Sequence, residues 1–243
     1  MKGRVTQNLA KMLLSDYYRH RPSEYFTWML ESILRQVGLT IEGEPPEDAR
    51  ELVDKLVEAY EAEVAAAEPF TDILGPTYME VASHGHQQVM GQYFTPFTIT
   101  RMMAEMTIDG APLEKPGGGL WRTCDPCSGS GAMMLAAAQS VLRRHGKVGL
   151  EHWSFTFVDL DRLCSLMSAV QFLANCLVHE FTLGEVLVLN GNSLLPWEGL
   201  TTVLHMSRAD VAVAPAQHPA RLEAIQAAAE QNLFPWYSEA SNS

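Results

Sequence analysis

The chain has 243 residues, 47% of them hydrophobic, and a formal net charge of −12. That length and apolar share exclude a largely disordered chain and leave room for one sizeable α/β domain beside a smaller helical one. No apolar run approaches the ~20 residues needed to span a bilayer, no apolar signal stretch follows Met1-Lys2-Gly3-Arg4, and four cysteines fit a reducing compartment, so a cytoplasmic protein is expected.

Residues 1–70 read as a helical region. Apolar residues recur at helical spacing over 8–18 and again over 23–37, where Tyr25, Phe26, Met29, Leu30, Ile33, Leu34 and Val37 define one face. Ser23 is the expected N-cap of the second helix and Gly38 its stop. Pro45-Pro46 opens an acidic helix over 47–68, its apolar side formed by Leu52, Leu56, Val57, Tyr60 and Val64. Pro69 and Gly75-Pro76 mark the passage into a second region, 71–243.

That region opens with a helix, then a loop at 92–96 and another helix over 96–106. The linker with Pro112, Pro116 and Gly117-Gly118-Gly119 reads as an exposed turn, because no Lys-Ser/Thr follows to make a phosphate loop. Strands then alternate with helices: strand 120–125, helix 131–145, strand 154–159, helix 161–179, strand 185–189 and strand 209–214. Alternation of this kind implies a parallel, doubly wound α/β sheet with its ligand at the carboxyl ends of the strands.

The chemistry is concentrated in two strings. Asp125-Pro126-Cys127-Ser128-Gly129-Ser130-Gly131 places an acid at a strand end, then two glycines, then a helix. Bare backbone N–H groups and a positive helix terminus there suit an anionic or zwitterionic cofactor, and a Cβ would obstruct both turn and ligand. Upstream lies Gly91-Gln92-Tyr93-Phe94-Thr95-Pro96. The spacing Cys124-x-x-Cys127 lacks a second ligand pair, and His84-Gly85-His86 lacks a third ligand in reach, so no metal site is expected.

Together, in this order and spacing, the two strings resemble the N6-adenine DNA methyltransferases, particularly the modification subunit of type I restriction systems. The resemblance runs from Asp72-Ile73-Leu74-Gly75, with Tyr78, to about Pro215. It implies a Rossmann-like class I methyltransferase sheet preceded by an N-terminal helical domain, with S-adenosylmethionine as cofactor. Tyr93 and Phe94 would wall the pocket, Thr95 and Pro96 would lie beside the methionine end, and Gly129 and Gly131 would give backbone access to the methionyl group. Asp125 would organise the loop or meet the amino group. In this fold class the acid ending the second strand accepts from the ribose hydroxyls; Asp159 is placed for that role, with a helix cap as its alternative, and Asp161 caps the next helix. Asn192 either accepts from the adenine amino group, where the family usually has Asp, or belongs to a plain Asn-Gly turn.

The resemblance breaks at the catalytic segment. The family presents Asn/Asp/Ser-Pro-Pro-aromatic after the fourth strand, whose polar side chain and first proline carbonyl accept the adenine amino hydrogens while the ring stacks on the flipped base. Here Pro215, Ala216, Gln217 and His218 stand there, and the principal acceptor is missing. The family's sheet continues for several more strands, whereas 25 residues follow His218, with a last helix expected over 220–231 and Trp236 and Tyr237 in a tail. A C-terminally truncated sheet with no room for target recognition is therefore expected.

Charge points the same way. Residues 1–35 carry six Lys/Arg against three Asp/Glu, and residues 36–80 carry two against twelve. Phosphate contacts dominate DNA affinity, so the chain alone should hold duplex DNA weakly. The implied protein binds cofactor, is impaired alone as an adenine-N6 methyltransferase, and acts as a subunit or scaffold with a partner supplying DNA recognition. An active enzyme within a complex, or a methyltransferase for another substrate, are the alternatives.

Overall fold

The computed structural model describes residues 6–15, 19–41, 43–84, 94–108, 110–195 and 199–208. Three helices come first: α1 (Thr6–Ser15), α2 (Pro22–Gln36) and α3 (Glu47–Ala66). α2 does not start at a serine cap. Arg21 is the extended cap residue and Pro22 the first helical one, where a fixed φ and a missing N–H cost nothing; the Glu24 carboxylate accepts the Arg21 N–H at 2.7 Å. Gly38 does end α2, with φ +86° and a Leu39 N–H bond back to the Leu34 carbonyl at 3.1 Å.

α4 (Leu74–His84) and α5 (Phe97–Ile108) precede the alternating part. This comprises β1 (Trp121–Asp125), α6 (Ala132–Leu150), β2 (Trp153–Asp159), α7 (Arg162–His179), β3 (Glu185–Asn190) and β4 (Thr201–Ser207). α6 outruns its expected end at 145 because a second helical piece follows a kink at Gly146 (φ 68°, ψ −166°). The sheet order is β1-β2-β3-β4; the first two pairs are parallel and the third is antiparallel. The described sheet is thus mixed, which corrects the all-parallel expectation. The connection from Asn190 to Thr201 is shorter than the ~12 residues a parallel crossover needs, so the chain returns antiparallel. The expected strand 209–214 and helix 220–231 lie outside the described residues, as do Trp236 and Tyr237.

α6 contacts β1 and β2, and α7 contacts β2, β3 and β4. Both crossovers step the same way along the sheet, which for right-handed connections puts both helices on one face. Phe155, Phe157, Val186 and Val188 point into that interface, while Val158, Leu187 and Leu189 form a small cluster on the other face with Leu200. The main core is continuous from the N-terminal helices to the sheet. Phe172 of α7 lies 5.6 Å from the Phe70 ring, 5.4 Å from Phe155 and 4.7 Å from Phe157. Arg162 at the start of α7 also meets the Glu31 carboxylate of α2 at 2.8 Å. No described helix is long and apolar enough to cross a membrane.

Candidate cofactor site

β1, β2 and β3 end in Asp125, Asp159 and Asn190, so these three side chains lie along the carboxyl edge of the sheet. The chain turns sharply after β1. Asp125 accepts the Cys127 N–H at 3.0 Å, the Ser128 N–H reaches the Val158 carbonyl at 3.0 Å, and the Gly131 N–H closes on the Ser128 carbonyl at 2.7 Å. Both glycines are in the left-handed region, Gly129 at φ +54° and Gly131 at φ +89°. A Cβ on Gly129 would sit 3.0 Å from the Phe94 ring, and one on Gly131 would sit 3.1 Å from Ser168 Oγ and 3.3 Å from its Cα. A side chain at either glycine would crowd these neighbours and strain a left-handed backbone.

Gly131 is the N-cap of α6 and supplies no side-chain cap. Among the described residues no side chain caps the first-turn amides of that helix, which lie at the positive end of its dipole. A cavity of about 80 Å³ opens in front of them, lined by Phe94, Thr95, Asp125, Cys127, residues 128–130, Ala132 and Met133. Burial pushes the Asp125 carboxyl above the ordinary carboxylate range and the nearby Asp159 charge adds to this, while the Cys127 N–H pulls the other way.

The upstream and downstream strings thus meet in space, Phe94 and Thr95 facing Asp125 and Gly129 across one cavity. Pro96 sits at the start of α5, its carbonyl accepting from Ile99 and Thr100, and Pro126 is exposed. Asp159 lies behind the loop: Oδ2 accepts the Gly129 N–H at 2.7 Å and Oδ1 the Asp161 N–H at 2.9 Å. Asp161 caps α7, accepting from the Leu163 N–H at 2.9 Å. The Asn192 side-chain Oδ1 accepts the Leu194 N–H at 2.9 Å, the geometry of an Asn turn. Tyr93 and the segment Pro215, Ala216, Gln217 and His218 lie outside the described residues.

Ser128, Ser130, Ala132 and Met133 were not singled out from the sequence as lining residues. Their signal is position alone, since they adjoin the two glycines in sequence; the Ser130 hydroxyl itself turns away to Asp72 at 3.0 Å. A larger recess, about 740 Å³, lies at the other end of the strands among residues 114–120, Arg122, His152 and Arg208. Gly117-Gly118-Gly119 is an exposed turn on its rim. Arg208 meets Glu151 at 3.0 Å and Arg122 meets Glu185 at 3.7 Å, so these two cations are largely compensated. The four cysteines are free thiols, and no cluster of three or more metal-ligating side chains occurs among the described residues.

A strand-end acid, two left-handed glycines and an uncapped helix start thus meet at one small cavity, a cradle at the carboxyl edge of the sheet. The family model for N-6 DNA Methylase matches residues 70–215, more than half of the chain, spanning this cradle and both strings. The chain belongs to that family. No curated protein and no solved structure matched it significantly.

Proposed function

We propose that this chain binds S-adenosylmethionine as an adenine-N6 methyltransferase-like subunit, similar to the modification subunit of type I restriction systems, and methylates poorly on its own. The observation that carries the reading is the cradle: a Cβ on Gly129 or Gly131 would crowd Phe94 or Ser168, and Asp125 and the first residues of α6 line one small cavity beside Phe94 and Thr95. These residues fit the amino-acid end of the cofactor, whose carboxylate suits uncapped amides and whose ammonium suits Asp125. At about 80 Å³ the cavity takes only that end; whole ligand pockets are ~300 Å³ or more. When bound, the cofactor supplies an electrophilic methyl group. The chain's own residues bind and orient it, and Asp159 lends rigidity to the loop besides any contact with the ribose.

The subunit role rests on the sequence: Pro215 replaces the polar acceptor, and a net charge of −12 opposes unaided DNA binding. A helical region, 1–70, beside a cofactor-binding region, 71–243, and a cytoplasmic setting belong to the same reading. Isothermal titration with S-adenosylmethionine tests it, heat at micromolar to millimolar ligand being expected. Absence of heat at millimolar ligand ends it. Family membership favours a second reading, an active enzyme within a complex. Transfer of labelled methyl groups to mixed DNA, with and without the products of neighbouring genes, separates the two.

A further inference from the structure

α7 is an apolar helix with a polar stripe that never reaches water. Ser168, Gln171 and Asn175 recur along one side and are 0%, 1% and 3% exposed. Each is bonded to backbone of another segment. Ser168 Oγ donates to the Gly129 carbonyl at 3.1 Å, and Gln171 Nε2 donates to the Ser130 carbonyl at 2.8 Å. Gln171 Oε1 accepts the N–H groups of Ile73 and Leu74 at 2.9 and 3.2 Å, and Asn175 Oδ1 accepts that of Phe70 at 2.6 Å.

Asp72 closes the circuit. Its buried carboxylate accepts from the Gly75 N–H at 2.9 Å, Gln171 Nε2 at 2.8 Å and Ser130 Oγ at 3.0 Å. The fit leaves no slack, because a Cβ on Gly75 would fall within 3 Å of both the Asp72 carboxylate and Ser130 Oγ. On the outer side, Tyr78 of α4 packs against Phe94 at 5.6 Å between ring centres, and Phe94 covers Gly129. The start of α4 therefore holds the glycine loop from beneath through Asp72, and α4 braces it from above through Tyr78 and Phe94.

Two loop carbonyls, those of Gly129 and Ser130, are pulled inward by α7. In a trans peptide the N–H points opposite to the C=O, so the Ser130 N–H is turned outward, toward the cavity that Ser130 lines. We propose that Asp72, Ser168 and Gln171 are positioning residues for the cofactor: they set the peptide planes of the glycine loop and hold it in register with the Phe94–Thr95 segment. This rests on the reading that the loop receives S-adenosylmethionine.

The test uses the full chain carrying Asp72→Ala, Asp72→Asn, Ser168→Ala or, as a control away from the clamp, Val141→Ala. Two readouts are taken: cofactor affinity by titration, and hydrogen exchange of the Gly129 and Gly131 amides without ligand. Asp72→Ala and Ser168→Ala should each weaken affinity about tenfold, the effect of one misdirected hydrogen bond, and speed exchange at both amides. Asp72→Asn should restore both readouts to within about threefold, because the Ser130 hydroxyl can reverse and accept from the new amide. The control should leave affinity unchanged despite its cavity. Should Asp72→Ala fail to fold, Ser168→Ala, which removes one hydroxyl, decides alone. Unaltered exchange and affinity in the folded variants, or equal losses in the control, overturn the clamp. Altered exchange in a chain that never bound the cofactor overturns the cofactor reading instead.

Discussion

Asp159 joins the two crossovers, and its isosteric replacement by Asn is a sharp perturbation. One carboxylate oxygen accepts from Gly129 N–H at 2.7 Å and the other from Asp161 N–H at 2.9 Å. An amide keeps one acceptor and turns a donor toward the second N–H, so one of the two bonds becomes donor against donor. A bond to a charged acceptor contributes ~1.5–3 kcal/mol, and this partly buried site belongs at the low end, about 1.5 kcal/mol. For a chain of this size each kcal/mol moves the thermal midpoint by about 2–4 °C, so Asp159→Asn should lower it by about 3–6 °C. Affinity for S-adenosylmethionine, read by titration below the midpoint, should fall about tenfold, because the Gly129 peptide loses its strut. Asp161→Asn is the companion, since asparagine caps helices as well as aspartate and nothing on the loop changes. An Asp159→Asn variant with parental midpoint and parental affinity would refute the reasoning.

Three further outcomes are expected. Gly131→Ala should lose about 2 kcal/mol in urea unfolding, from the left-handed conformation and from crowding of Ser168 Oγ and Cα; a loss under ~0.5 kcal/mol would contradict the geometry. Phe172→Leu should cost about 1–2 kcal/mol yet keep one cooperative transition by circular dichroism, because the ring joins Phe70 to the sheet; two separated transitions would show independent units. Burial holds the Asp72 carboxyl above the ordinary range despite bonds from Gln171, Gly75 and Ser130, and Tyr60 of α3 is a titratable group nearby, itself beside Glu63. Stability from its protonated form is fully present below the unfolded value near ~4 and is lost as pH rises through the raised folded value. The stability of the parent relative to Asp72→Asn should therefore shrink from about pH 4 toward neutrality in urea titrations, and a difference that grows with pH would reverse the sign.

The elements of the described region were largely legible because their signals are local. Helical spacing of apolar residues marked α2 and α3, and alternation with glycine punctuation marked β1 to β3 within a residue or two. At the start of α2 two local preferences compete, and a proline pre-set for the first helical position prevails over serine one residue later. β4 carries little local signal: Thr201-Thr202-Val203-Leu204-His205-Met206-Ser207 alternates weakly, and only pairing with β3 makes it a strand. The left-handed turn was legible in the glycines themselves.

By itself the sequence determined the strand–helix alternation from β1 to β3, the family, and a glycine turn beside a strand-end acid, all properties of contiguous residues. Only the tertiary structure decided which polar groups meet. Asp159 turned out to hold the loop, and Asp72, Ser130 and Gln171, far apart along the chain, share one buried set of hydrogen bonds. The physical reason is that a polar side chain without solvent takes whichever partner packing brings within 3 Å, and packing is a property of the whole core rather than of any window of sequence.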